Sequence, residues 1–263
     1  MTEMAEDLVS YRLTDGIARI AFNDPKRLNA VTEEIGVALH EALLRAADES
    51  RAVIVTGEGP AFCSGANLDA AVDFLSEESP DCGGQLERAF NPAVVAMRDM
   101  PQPVITSLRG AVAGVGCGLS MAGDIIICSD NAYFFFAFGK VGLVPDGGSS
   151  WLLSKAIGRV RAMQLMLLSE KLTADKALDW GLVSKVVPDD QLDDVTMDIA
   201  RRLARGPKSL ALTKKIAWDA LESDLQSALE AERVGQRDAG LTEDFGEGVR
   251  AFLERRQPHF KGR

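Results

Sequence analysis

Residues 102–124 read QPVITSLRGAVAGVGCGLSMAGD. Val104 to Leu108 is a short apolar run with the make-up of a buried strand; Gly110, Gly114, Gly116 and Gly118 follow it, and a helix begins near Gly116. A strand that turns through glycines into a helix leaves backbone N–H groups at a helix N-terminus, where the dipole favours negative charge. A dinucleotide-binding fingerprint is a poor fit. Counted from Gly114 the segment runs G-V-G-C-G-L, with Leu119 where the third glycine belongs, and no strand ending in an acid follows at the right distance. Packing alone accounts for such glycines about as well as a ligand does.

Upstream, AFCSGANL (Ala61 to Leu68) follows the buried strand Ala52–Thr56 and a Gly57-Glu58-Gly59-Pro60 turn. The small residues Ser64, Gly65 and Ala66 let a ligand approach the backbone, so that the N–H of Ala66 can donate to a ligand oxygen. A tight turn with no ligand explains the same residues. Downstream, FGKVGLVPDGGSS (Phe138 to Ser150) places Asp146 in a turn between Pro145 and Gly147-Gly148, just after Phe134, Phe135, Phe136 and Phe138. An aspartate there is a catalytic candidate or simply a helix cap.

Further out, VSYRLTDGIARIAF (Val9 to Phe22) has the alternation of a β-hairpin around Asp15-Gly16, and Thr32-Glu33-Glu34 starts a helix with Ile35, Leu39, Leu43 and Leu44 on one face. Strands and helices alternate to about residue 190, with a helix at Leu86 to Met100, apolar runs at Asp124 to Cys128 and Ala132 to Phe138, and helix then strand over Leu172 to Val187. From Leu192 the pattern is helical. The class is α/β, organised as a core over residues 1–190 and a helical region over 191–263. The segment Asp69 to Glu87 has the composition of a loop over a site.

At 263 residues the chain can bury roughly 75% of its unfolded surface. A net charge of −10, with Lys and Arg scattered, argues against nucleic acid as a partner. Four cysteines (Cys63, Cys82, Cys117, Cys128) lack CxxC spacing, and only His40 and His259 could assist them, so neither a metal site nor a disulfide framework is expected. Gly110 to Gly123 is too short an apolar run to span a bilayer. MTEMAEDLVS lacks the features of a secretory signal, which makes the cytoplasm the expected location.

Taken in order, NDPKRLNAV (Asn23 to Val31), AFCSGANL, QPVITSLRGAVAGVGCGLSMAGD, LTADKALDWGLVSKVV and the ending QPHFKGR resemble the crotonase family, the enoyl-CoA hydratase/isomerase superfamily, over nearly the whole chain. The resemblance implies a ββα spiral core and a C-terminal helical region that assembles a homotrimer or a dimer of trimers. It implies an acyl-CoA thioester substrate, with coenzyme A entering as part of the substrate and no separate cofactor. It places the enolate oxygen between the amides of Ala66 and Val115. It places CoA along Lys26, Arg27, Leu28 and Ala30 and the turn of Ser64, Gly65, Asn67 and Leu68, with Phe260 and Lys261 arriving from a neighbouring subunit. Enoyl-CoA hydratases of the family carry two glutamates that manage water, and here those positions read Gly118 and Phe138. Asp146 falls where Δ3,Δ2-enoyl-CoA isomerases and the ring isomerases of phenylacetate degradation keep their carboxylate. The implied activity is therefore a double-bond shift by one acid/base group, its pKa raised by desolvation among the phenylalanines. The alternatives are a hydratase with non-standard acid/base residues and a CoA-binding protein without turnover. A nucleophilic aspartate of the 4-chlorobenzoyl-CoA dehalogenase kind would need a histidine base, and neither His40 nor His259 lies in a motif that supplies one.

Overall fold

A computed structural model of the chain describes residues 8–67 and 81–263. Leu68 and residues 69–80 of the expected loop lie outside the described residues. The hairpin forms as the alternation predicts: β1 (Val9–Thr14) pairs antiparallel with β2 (Ile17–Phe22), and Asp15 and Gly16 turn between them at positive φ. β3 (Ala52–Gly57), β4 (Val104–Leu108), β6 (Ile125–Ser129) and β9 (Lys185–Val187) then add in parallel, giving a sheet of order β1-β2-β3-β4-β6-β9. A second sheet holds β5 (Ala111–Ala113), β7 (Tyr133–Phe135) and β8 (Lys171–Thr173) in the order β5-β7-β8.

Both faces of the large sheet are covered, which is why its strands read as unbroken apolar runs. Val53 and Val55 of β3 point into one core with Leu39 and Leu43 of α1 (Glu33–Glu49), while Ala52 and Ile54 point into another. The second core is closed by Leu192, Ala200 and Ala204 of α7 (Leu192–Ala204). α1 starts where its cap predicts, with Thr32 Oγ1 accepting the Ile35 N–H.

Residues 82–87 are helical rather than loop. A turn at Cys82–Gln85 runs through a π segment, Leu86–Phe90, into α2 (Asn91–Asp99). Pro92 has no N–H to return to the carbonyl four residues back, and the wider π turn just before it absorbs that defect. Two short strands escaped the sequence reading. β5 lies inside the glycine-rich segment, and β8 stands where a helix was expected at Leu172; both are three-residue pieces whose partners are remote in sequence.

The remaining helices are α3 (Val115–Met121), α4 (Ser149–Ile157), α5 (Arg159–Leu168), α6 (Ala174–Asp179), α8 (Ser209–Ala220), α9 (Leu225–Gly240) and α10 (Glu243–Glu254). Among the described residues no helix is long and apolar enough to cross a membrane.

Candidate active site

The segment Ala61 to Asn67 is stitched between two others. On one side Phe62 N donates to Arg109 O, Cys63 N to Ala111 O, and Ala113 N to Cys63 O. On the other, Ser64 N donates to Leu28 O, Val31 N to Gly65 O and Asn67 N to Val31 O. Ala66 is paired with Val31 in the parallel sense, so the groups flanking Ala66 make the bonds and its own N–H faces away from Val31. That N–H has no acceptor among the described residues.

α3 begins at Val115 after Gly114, which sits at φ 53. Gly65, at φ 102, lies against Gly114: a Cβ on Gly114 would be 3.3 Å from the Gly65 Cα. Ala66 and Val115 each follow one of this glycine pair, so the close backbone approach brings their amides together. Cys117 N turns back to Gly114 O, while Val115 N, like Ala66 N, has no acceptor among the described residues. Beneath them Cys63 Sγ accepts from Gly65 N at 3.4 Å, and burial pushes the Cys63 thiol up to about 12, so it stays a neutral prop.

Asp146 enters from the turn before α4. Its carbonyl accepts from both Ser149 N (2.9 Å) and Ser149 Oγ (2.5 Å), which fixes the backbone and leaves the carboxyl free of capping duty. Oδ1 is buried with no hydrogen-bond partner among the described residues. Desolvation raises the carboxyl from 3.8 to about 6. Gly147, the next residue, meets Val115 and Gly118, which brings the Asp146 turn against α3 and the second amide segment.

The two positions where hydratases keep glutamate cannot serve here. Phe138 is buried in the core, and a Cβ on Gly118 would overlap the Gly147 carbonyl oxygen. The groups seen against the Asp146 turn are other than the expected phenylalanines: Val115 and Gly118 close on Gly147, and Leu152 and Val94 on Gly148.

Lys26, Arg27 and Leu28 form an exposed 3₁₀ turn and its cap, against which Ser64 is bonded through N to Leu28 O (3.0 Å) and Oγ to Arg27 O (3.2 Å). Ala30 is half-buried beside them. Two residues the sequence reading passed over hold this turn. Asn29, buried and at φ 55, donates through Nδ2 to Ala61 O (2.7 Å) and Glu58 O (3.0 Å) and accepts from Asp24 N (2.9 Å). Gly57 leaves space for it, since a Cβ there would lie 2.6 Å from Asn29 Nδ2. Asparagine's tolerance of the left-handed region was the available signal.

Phe260 and Lys261 are elsewhere in the same chain. Buried Asp244 accepts from Lys261 N (2.6 Å), Gly262 N (2.9 Å) and Lys208 N (2.9 Å), and Gly262 packs on Arg51, immediately before β3. That is the opposite end of β3 from the Ala61 to Asn67 segment, so these two residues do not reach their own chain's site. Among the described residues no group of three or more His, Cys, Asp or Glu could hold a metal.

Residues 12–263 match the family model described as enoyl-CoA hydratase/isomerase. The 1,2-epoxyphenylacetyl-CoA isomerase of Escherichia coli is 40% identical over 99% of this chain and 100% of its own length. A Rhodobacter capsulatus protein named as a probable enoyl-CoA hydratase is 38% identical over 99% and 100%. The solved structure of an enoyl-CoA hydratase from Polaromonas sp. JS666 superposes with a TM-score of 0.91 at 32% identity, covering 96% of this chain and 99% of that one. The chain has the crotonase fold and belongs to the enoyl-CoA hydratase/isomerase family, whose members act on CoA thioesters.

Proposed function

We propose that the protein is an acyl-CoA isomerase that moves a double bond, in a linear enoyl or a ring-bearing acyl-CoA, through an oxyanion hole and one carboxyl group. The thioester oxygen sits between the N–H groups of Ala66 and Val115. Asp146, ionised, removes a proton from the carbon that is α to the thioester carbonyl and allylic to the double bond. The electron pair moves into the conjugated system, and the resulting dienolate is held by the two amides, a contact typically worth on the order of 10² to 10³ in rate per donor. The Asp146 carboxyl then returns the same proton to a different carbon, so no water or cofactor is consumed and coenzyme A enters and leaves as part of the substrate.

The observation that carries this reading is a carboxylate whose buried oxygen has no hydrogen-bond partner and whose pKa is raised to about 6, on a turn that rests on α3 beside two amides without acceptors, all among the described residues. A base that must also return a proton works best when its pKa lies near the working pH. CoA is proposed to lie along Lys26, Arg27, Leu28, Ala30, Ser64, Gly65, Asn67 and Leu68, with Phe260 and Lys261 supplied by a neighbouring copy in a homotrimer or dimer of trimers built through residues 191–263. The proposed setting is the cytoplasm.

The test is turnover of a 3-enoyl-CoA and of a ring 1,2-epoxyacyl-CoA by the parent and by Asp146→Asn. The variant is expected to lose about 10²- to 10⁴-fold in kcat while still binding the thioester. Full activity in the variant, or water addition to a 2-enoyl-CoA as the faster reaction of the parent, would reject the assignment.

A further inference from the structure

Gly118 is buried on α3, one turn beyond Val115. Besides overlapping the Gly147 carbonyl oxygen, a Cβ there would stand 2.7 Å from the Gly147 carbonyl carbon and 3.0 Å from its Cα. These are backbone atoms, so a side chain at position 118 must displace the turn itself. The contact is close from the other side too: a Cβ on Gly147 would meet Val115 Cγ2 at 3.1 Å and the Val115 carbonyl oxygen at 3.5 Å. Gly147 and Gly148 sit at φ 55 and 76, the left-handed region that glycine enters without strain. The Asp146 turn is therefore pinned at its exit by Ser149 and rests on α3 at Gly118.

We propose that Gly118 is the positioning residue for Asp146: the missing side chain lets the turn seat directly on α3 and so sets the carboxylate against the Val115 amide. The inference rests on the role given to Asp146 above and adds what determines it. One short helix carries both references, the amide at its first residue and the seat one turn later, so their separation is fixed by helix geometry. A displacement of about 1 Å at a reacting group costs on the order of 10² in rate. The same seat excludes a second acid. A carboxylate side chain at 118 and the Asp146 turn would compete for one volume, so position 118 adds no second acid/base group to Asp146, which favours proton transfer over water addition.

The experiment compares Gly118→Ala, Asp146→Glu and the double variant with the parent. Gly139→Ala serves as control, because a Cβ on exposed Gly139 meets only Ser169 Oγ at an ordinary 3.5 Å. Gly118→Ala is expected to lower kcat on the order of 10²-fold with KM changed less than about threefold, and to move the acid limb of the kcat/KM profile below that of the parent, as the displaced carboxyl regains water. Gly139→Ala is expected to match the parent. Asp146→Glu is expected to slow the parent but to speed Gly118→Ala, because the longer arm spans the displacement, and a general loss of fold does not produce that reversal. A parental rate and limb in Gly118→Ala overturns the inference, as does a double variant slower than Gly118→Ala. A Gly118→Ala chain that does not fold overturns it too, since overpacking confined to this contact predicts a thermal midpoint lowered by only roughly 2–10 °C. If Asp146→Asn keeps full activity, the isomerase reading itself has failed; if only Gly118→Ala behaves as the parent, that reading stands and the positioning role alone is rejected.

Discussion

At Asp146 the chain keeps a carboxyl group where water reaches it poorly and no donor among the described residues meets Oδ1. Such a residue works against stability, and the sign follows from its ionisation. The folded-state pKa, about 6, lies above the ordinary 3.8. The group's stabilising contribution is thus complete below 3.8, where both states are protonated, and is lost as pH rises through 6. Two units would be about 3 kcal/mol for a fully dry group; Asp146 is half-buried, so about 1–2 kcal/mol is expected. Asp146→Asn should therefore melt roughly 2–8 °C above the parent at pH 8, with the excess shrinking at pH 4.5, in scanning calorimetry across that range. Activity should move oppositely: kcat/KM of the parent should fall about tenfold per unit below pH 6, reporting the free enzyme's base. A limb near 4 would show that the carboxyl is hydrated in solution.

Among the elements, α8 shows how the C-terminal helices tie into the core. Lys214 Nζ is buried and meets Asp124 Oδ2 at 2.9 Å, Met97 O at 2.7 Å and Gln102 O at 3.0 Å; Asp124 in turn accepts from Val104 N (2.7 Å) and Trp218 Nε1 (2.8 Å). Desolvation lowers the Lys214 pKa against the pull of Asp124. Trp218 stacks on Trp151 of α4, the helix that follows the Asp146 turn. Asp124→Ala would strand a buried ammonium and two donors, so a loss of about 3–5 kcal/mol is expected in urea unfolding. Lys214→Met combined with Asp124→Asn should recover part of that loss if the pair couples as drawn. None of this was legible beforehand, because Asp124 and Lys214 are 90 residues apart and each reads alone as a surface charge. What was legible depended on local pattern: the hairpin at Asp15-Gly16, the Thr32 cap and the glycine-rich turn into a helix. The apolar run Ala132 to Phe138 is strand only over Tyr133–Phe135, and a 3₁₀ turn, Ala137–Val141, carries the chain toward Asp146. An aromatic run does not reveal such a break, because buried strand and buried turn use the same residues. Ala66 could be singled out from the small residues around it, and Val115 only through the family resemblance; the structure adds that the glycines before them lie against each other. The Gly118 and Gly147 contact was not legible, since it joins residues 29 apart that have no side chains to signal it.

Across the whole molecule, exposed apolar side chains occur over residues 141–168, with Val144, Val160 and Leu167 the most open, and again on the C-terminal helices. Leu225 and Leu229 on α9 and Phe245, Val249, Phe252 and Leu253 on α10 are exposed, Phe252 at 83%, while α10 buries only Asp244 and Ala251. A helix that turns its large apolar residues outward gains by being covered, and contiguous patches of this kind mark association surfaces. The tail gives the same surface a chemical purpose. Asp244 holds Lys261 and Gly262, and Phe260 packs at Gly248 of α10, at the far end of β3 from Lys26 and Arg27, so a contribution to CoA binding has to be made to another copy. On the proposed assembly the protein sediments at about 85 kDa as a trimer of 28.3 kDa chains, or at twice that as a dimer of trimers. Phe252→Asp with Leu253→Asp places two charges in the covered face, and like charges desolvated against each other cost several kcal/mol, so this variant should sediment as a monomer. Its own Ala66, Val115 and Asp146 remain in place, so the deficit should appear chiefly as weaker thioester binding, at least about tenfold in KM, with kcat less affected. An assembled variant, or a monomer with unchanged KM, would remove the neighbouring copy from the site.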